Sequence, residues 1–277
     1  MFEIDLTGKT ALITGGTRGI GLATAKALAG AGAHCVMTHR WGSADLDDIR
    51  RQFADMQAPE PMLEMADVSH KEDTVALMER IKEKRDGVDI FISNVAFAAR
   101  TPELSSYRKR SLVTSLEYSA WPLVEYVETI YEAFERYPRY VVAISSDGAD
   151  RSYPGYDFVA ASKSVLEVLA RYLGGHLAEH GSRVNVIRFG MVATESFEAM
   201  FGQEIWDFLA EQGIRRSDLM SPQDCGKAVL ALCSGLLDAM QSEVITVDQA
   251  MAFEDNMMRR YERWKSQLAD DRQKDEP

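Results

Sequence analysis

The stretch TGGTRGIG, Thr14 to Gly21, decides how the rest of the chain is read. It follows the apolar run ALI and opens an amphipathic stretch, so a strand ends and a helix begins on it. Glycines at 15, 19 and 21 leave no Cβ in the way of a ligand's pyrophosphate. The free N–H groups and positive dipole at the helix start attract that anion. This strand–loop–helix context is what a dinucleotide fingerprint requires, so Gly15, Thr17, Arg18, Gly19, Ile20 and Gly21 are the expected cradle.

Outward from that loop, short β-branched runs alternate with longer amphipathic stretches. Strands are expected near Thr10–Thr14, His34–Thr38, Pro61–Met65, Ile90–Ser93, Tyr140–Ser145, Arg183–Phe189 and Glu243–Val247. Helices are expected in most gaps, among them Ile20–Ala31, Lys71–Lys84, Trp121–Tyr137 and Ala160–His180. The runs ALIT, VVAIS and VNVIR are apolar on both faces, as central parallel strands are. The expected fold is α/β: a Rossmann-type doubly wound parallel sheet of about seven strands with helices on both faces. Residues 1–253 form one domain in this reading. Residues 254–277 are charged and carry Met257, Met258, Tyr261 and Trp264 at near-helical spacing, which suggests a terminal helix that frays into a tail.

Composition narrows the function. The chain has 277 residues, 46% of them hydrophobic and 27% charged, the profile of a soluble globular protein. A net charge of −12 opposes nucleic-acid binding, because a phosphate backbone would be repelled. Cys35, Cys225 and Cys233 are too few and too scattered for a disulfide framework or a metal site, and fit a reducing cytoplasm. The N-terminus lacks a basic segment followed by a long apolar run, and no membrane-length apolar stretch follows. Neither a signal peptide nor a membrane association is expected.

The end of the second strand reads CVMTHRW, with no carboxylate until Asp45. A 2′-hydroxyl of NAD is usually held by an acid there, whereas a 2′-phosphate needs a cation. His39 and Arg40, with Arg18 converging from the glycine loop, make NADPH the expected cofactor.

Several motifs now combine. Asp67-Val68 follows the third strand, Ser93-Asn94-Val95-Ala96 the fourth and Ser145-Ser146 the fifth. Lys163, Asn185-x4-Gly190 through Thr194 and Val244-x2-Val247-Asp248 come after them. Together with the glycine loop they resemble the short-chain dehydrogenase/reductase family over nearly the whole chain before the tail. The resemblance implies that Asp67 and Val68 flank the adenine and that Asn94 and Ala96 line the cofactor cleft. It also implies that Gly190, Val192 and Thr194 border the nicotinamide, with Thr194 on its carboxamide. A homodimer or homotetramer is a further family expectation.

One family feature is missing. The usual Tyr-x3-Lys pattern would put a tyrosine at position 159, which is Val159. The spacing here is Tyr156-x6-Lys163, and with Gly148–Arg151, Pro154-x-Tyr156 and Arg171–Leu173 it resembles the enoyl-acyl-carrier-protein reductase branch, its type III members most. At about 100° per residue, a step of four turns about 40° past a full circle and a step of seven falls about 20° short of two. Tyr156 therefore faces the same side of the helix as position 159, nearly a turn nearer the N-terminus. By this reading Tyr156 stabilises the enolate of a 2-enoyl thioester. Lys163 holds the nicotinamide ribose and lowers the tyrosine's pKa. Ser146 is either a second donor or a satisfied strand-end hydroxyl, and Tyr153 is the alternative acid. The family's asparagine in the fourth helix is also absent, since SLVTSLEYSAW offers Ser115 and Tyr118.

On the substrate side, residues 195–221 carry Phe197, Met200, Phe201, Ile205, Trp206, Phe208 and Leu209 close to a helical stripe. That suits either a lid over an apolar acyl chain or ordinary core. Phe97, Ala98 and Met191 are expected in the same pocket. Docking of an acidic acyl carrier protein would need basic residues, for which Arg100, Arg108, Lys109 and Arg110, or Arg215 and Arg216, are available. The leading expectation is NADPH-dependent reduction of enoyl thioesters linked to carrier protein or coenzyme A. The alternatives are a carbonyl reductase or alcohol dehydrogenase of the same family, and an inactive cofactor-sensing protein.

Overall fold

The structure is a computed structural model that describes residues 4–40, 44–97 and 100–251. In chain order the main elements are β1 (Thr10–Ile13), α1 (Gly19–Gly30), β2 (His34–His39), α2 (Leu46–Asp55), β3 (Met62–Met65), α3 (Lys71–Lys82) and β4 (Ile90–Ser93). There follow α4 (Lys109–Ser119), α5 (Pro122–Phe134), β5 (Tyr140–Ser146), α6 (Asp157–Leu177), β6 (Arg183–Phe189), α7 (Glu195–Phe201), α8 (Ile205–Glu211), α9 (Pro222–Leu232) and β7 (Val244–Val247). The seven strands form one sheet in the order β3-β2-β1-β4-β5-β6-β7, with every pairing parallel.

Strand alternation assigns the two layers. Ala11 and Ile13 of β1 and Ile90 and Ile92 of β4 point to one face, where they meet α1, α2 and α9 through Leu28, Phe53 and Val229. Leu12 and Phe91 point to the other, against Leu77, Tyr126 and Leu166 of α3, α5 and α6. The order reverses between β1 and β4, so their carboxyl ends open a crevice at the topological switch point. All three cysteines are buried and form no disulfide, and burial pushes the Cys35 thiol up to about 12 against the opposing effect of a backbone hydrogen bond at Ala29. They are core atoms rather than chemistry.

Strand positions match the sequence reading within a residue, while helix ends differ more. The ends of α5 and α6 fall three residues short of the expected ones, and α6 starts at Asp157 rather than Ala160 because Gly155, at φ +77°, turns the chain and Tyr156 takes the N-cap position. The region 195–221 is α7, α8 and a short 3-10 turn, gathered on their own apolar cluster of Phe197, Leu209 and Leu219. Residues 254–277, with the expected terminal helix, lie outside the described residues. Among the described residues no helix is long and apolar enough to cross a membrane.

Candidate active site

A cavity of about 560 Å³ runs along the carboxyl ends of β1, β4, β5 and β6. Its floor at one end is the glycine loop. Gly21 lies so close to the loop that a Cβ there would sit on the carbonyl oxygen of Gly15, so the helix can approach only as glycine. The loop is fixed from both sides: Gly15 N–H donates to Thr38 Oγ1 at 3.2 Å, and Asn94 Nδ2 donates to the carbonyls of Thr14 and Gly15 at 2.9 and 3.2 Å. The first turn of α1 has no side-chain cap and no acidic residue. Its N–H groups thus keep their capacity for an anion, and the residues fit a dinucleotide's pyrophosphate.

Of the residues expected at the cofactor, Gly15, Arg18, Gly19, Ile20, Gly21, Asn94, Ala96, Lys163, Gly190, Val192 and Thr194 line this one cavity. Thr194 caps α7 by accepting from Phe197 N–H at 3.2 Å, which leaves its own hydroxyl proton available. Thr17, His39, Arg40, Asp67 and Val68 do not line it. Val68 is packed in the core layer beneath α3 and α5, and Thr17 is buried. His39 ends β2 with its Nδ1 buried and unpartnered.

Arg40 neither faces solvent alone nor lines the cavity with Arg18. Its Nε pairs with Asp67 Oδ2 at 2.9 Å, and its guanidinium also meets the Tyr118 hydroxyl, which itself lies 3.2 Å from Asp67. Burial pushes the Asp67 carboxyl up. Two bonds from Ser69, the charge of Arg40 and the bond from Tyr118 outweigh it, so its pKa falls below the usual value. Tyr118, one of the two residues that α4 offers where the family has its asparagine, thus pairs with Arg40 and Asp67 and not with Lys163. Ser115 donates to the carbonyl of Ser111 at 2.9 Å within its own helix, so α4 offers no relay to the lysine through it.

The catalytic candidates converge at the other end. Tyr156, Val159 and Lys163 all border the cavity from α6, with Ser146 and Asp147 facing them from the end of β5. Lys163 is 4% exposed and donates to the carbonyl of Ile144 at 2.7 Å. Burial pulls it down to about 8, against the opposing effect of Glu167.

Tyr156 departs from expectation in one respect. Burial raises its pKa, a hydrogen bond from Ser146 partly offsets this, and Asp147 raises it further. Lys163 is not among the groups that move it. A phenol shifted in this direction keeps its proton at neutral pH and can donate a hydrogen bond. The 3-10 turn Asp147–Ala149 makes room for it, because a Cβ on Gly148 would lie 2.6 Å from the Tyr156 ring.

Tyr153 is engaged elsewhere. Its hydroxyl donates to Asp147 Oδ2 at 2.6 Å, and burial with that acceptor raises its pKa. Its ring meets Tyr156 edge-on at 6.0 Å. Ser146 accepts from Gly148 N–H at 3.2 Å and lies 3.4 Å from Asp147 Oδ1. It is thus both a satisfied strand-end hydroxyl and a neighbour of the acid. Asp147, 6% exposed, is the site residue that sequence reasoning missed; its only signal was its place directly after Ser-Ser.

Phe97, Met191, Phe197, Met200 and Phe201 form the apolar wall, so part of the expected lid stripe faces the cavity. Ile205, Trp206 and Leu209 pack within the apolar cluster of α7 and α8 instead, and Ala98 lies outside the described residues. The two basic patches differ. Arg215 and Arg216 are paired with Asp218 and Glu198. Arg108 donates to the carbonyls of Ser105 and Tyr107. Arg100, Lys109 and Arg110 form no ion pair among the described residues.

A family model described as Enoyl-(Acyl carrier protein) reductase matches residues 15–251, the stretch that builds this cavity. The chain belongs to the short-chain dehydrogenase/reductase family. It resembles the family's enoyl-acyl-carrier-protein reductase branch and is an NAD(P)H-dependent oxidoreductase. It is 27% identical over 251 residues to the NADH-dependent enoyl-acyl-carrier-protein reductase of Aquifex aeolicus, covering 88% of this chain and 91% of that one. It is 28% identical to the 1-cyclohexenylcarbonyl-CoA reductase of Streptomyces collinus, covering 71% and 69%. Its fold matches a 7α-hydroxysteroid dehydrogenase solved with NADH, at a TM-score of 0.79 and 24% identity over 90% of this chain and 97% of that one.

Proposed function

We propose that this reductase saturates the double bond of 2-enoyl thioesters, carried on an acyl carrier protein or coenzyme A, with NADPH as the reductant. The observation that carries the reading is the placement of Tyr156, which among the described residues is the cavity-lining tyrosine whose hydroxyl does not donate to a carboxylate. Tyr156 borders the same cavity as Lys163 but seven residues before it, and the four-residue position holds Val159. Tyr153, the alternative acid, donates its hydroxyl proton in a hydrogen bond to Asp147.

A reduced dinucleotide held by the glycine loop would supply the hydride that goes to Cβ of the acyl chain. Negative charge then develops on the thioester oxygen, three bonds away from the carbon attacked, and a proton taken up at Cα completes the saturation. A donor set further along the cleft than a ketone would need meets that oxygen, and a phenol held protonated by burial and Asp147 stabilises the enolate by hydrogen bonding. Lys163, fixed by the Ile144 carbonyl, has N–H groups left that would hold the ribose. Phe97, Met191, Phe201 and Met200 exclude water and take the acyl chain.

For the cofactor, the absence of a carboxylate at the end of β2 and the presence of His39 and Arg40 support NADPH, although the Aquifex relative is named for NADH. A 2′-phosphate would exchange with Asp67 for the Arg40 guanidinium. Mass analysis of products tests the reaction: a gain of two hydrogens with loss of the double bond supports it. A 3-hydroxyacyl product formed only from the 3-ketoacyl substrate would move the protein to the carbonyl reductases.

A further inference from the structure

Behind Lys163 lies a buried ion cluster that the reaction does not use. Glu167, one helical turn further along α6, has a side chain 5% exposed, and both its oxygens are occupied. Arg188 of β6 donates to Oε1 from Nε at 2.7 Å and to Oε2 from a terminal nitrogen at 2.6 Å, a two-pronged grip. Ser145 of β5 adds a third bond to Oε1 at 2.6 Å. Asp150 holds the other side of the guanidinium.

A buried carboxylate one turn from a buried ammonium would ordinarily pair with it. Here the two form no ion pair, and Lys163 bonds the Ile144 carbonyl instead. We propose that Arg188 is a positioning residue for Lys163: by occupying both oxygens of Glu167, it keeps that carboxylate from capturing the lysine and leaves the ammonium turned to the cofactor cleft. The proposal rests on Lys163 holding the dinucleotide.

Without Arg188, Glu167 keeps only the Ser145 hydroxyl, and a buried carboxylate so short of donors takes the nearest cation. That cation is Lys163. The cofactor then loses one charge-assisted hydrogen bond, a weakening of roughly tenfold or more.

The test is the Kd for NADPH and for NADH, measured by fluorescence titration without substrate, for wild type, K163M, R188M, E167Q and the double variant R188M/E167Q. The proposal expects K163M and R188M each to raise the Kd of the preferred dinucleotide by about tenfold or more. It expects E167Q to stay within about threefold of wild type, and the double variant to recover most of the loss, because a neutral amide no longer competes for the lysine. A double variant as weak as R188M would make Arg188 merely structural and overturn the proposal. A normal Kd for R188M beside a raised one for K163M would overturn it while sparing the role of Lys163. A normal Kd for K163M would overturn both. If R188M does not fold, Arg188→Lys, which keeps the charge and loses the fork, carries the same test with the same Glu167→Gln rescue.

Discussion

Replacing Gly148 by alanine separates the position of the Tyr156 ring from its mere presence. The added Cβ would lie 2.6 and 2.8 Å from Cε1 and Cδ1 of Tyr156 and 3.2 Å from Cδ2 of Tyr153. Carbon atoms rest at about 3.5–4.0 Å, so the Tyr156 ring must retreat by about 1 Å. Gly148 sits in a 3-10 turn without a positive φ, so alanine suits the backbone and the clash is the whole effect. Tyr153 stands edge-on to the ring, and its own hydroxyl is tied to Asp147, so the displacement runs toward the cleft. Overpacking of this kind costs about 1–3 kcal/mol, and Tm falls by roughly 2–4 °C for each kcal/mol. A misplacement of about 1 Å can lower a rate by about 100-fold. The assay is the loss of reduced-nicotinamide absorbance with a 2-enoyl thioester, beside a thermal melt and a cofactor titration. The expected result is a kcat/KM lowered by roughly 30- to 100-fold with the cofactor Kd within about twofold of wild type. A melt shifted as expected with kcat/KM within about threefold of wild type would refute the idea that ring placement sets the rate.

Three further outcomes are expected. Tyr153→Phe removes the donor on Asp147 Oδ2 and destabilises the fold by about 1–3 kcal/mol, read by denaturant melting, while turnover stays within about fivefold; a collapse of turnover would make Tyr153 the acid. Burial holds Lys163 near 8, below its ordinary value of 10.5, so cofactor affinity falls as pH rises through about 8. Because the unfolded chain binds that proton more tightly, the same group makes stability rise with pH between about 8 and 10.5, and Lys163→Met flattens both curves. Arg40→Ser raises the Kd for NADPH by about tenfold or more and that for NADH by less than about threefold; equal effects, or a wild-type preference for NADH, would remove the 2′-phosphate assignment.

Much of the cleft was legible in the sequence because its signals are local. The glycine loop, the apolar strands and the Tyr156–Lys163 step each lie within one element or one turn, where backbone geometry alone places them. What escaped depends on pairing across the sheet. Asp147 and Glu167 read as two of 43 acidic residues, and only the β5–β6 register and the packing of α6 bring Glu167 to Arg188, 21 positions away. The same holds for Arg40, whose partners Asp67 and Tyr118 come from the end of β3 and from α4. Spacing could not show that Asp147 accepts a hydrogen bond from Tyr153, which is what separates the two candidate acids.

The most direct test compares wild type, Tyr156→Phe and Tyr153→Phe in NADPH oxidation with crotonyl and longer 2-enoyl thioesters, beside the matching 3-ketoacyl thioesters. The account predicts turnover of the enoyl substrates that falls by about 100-fold or more in Tyr156→Phe and survives in Tyr153→Phe. Turnover of the ketoacyl substrates alone, or an enoyl rate indifferent to Tyr156, would contradict it.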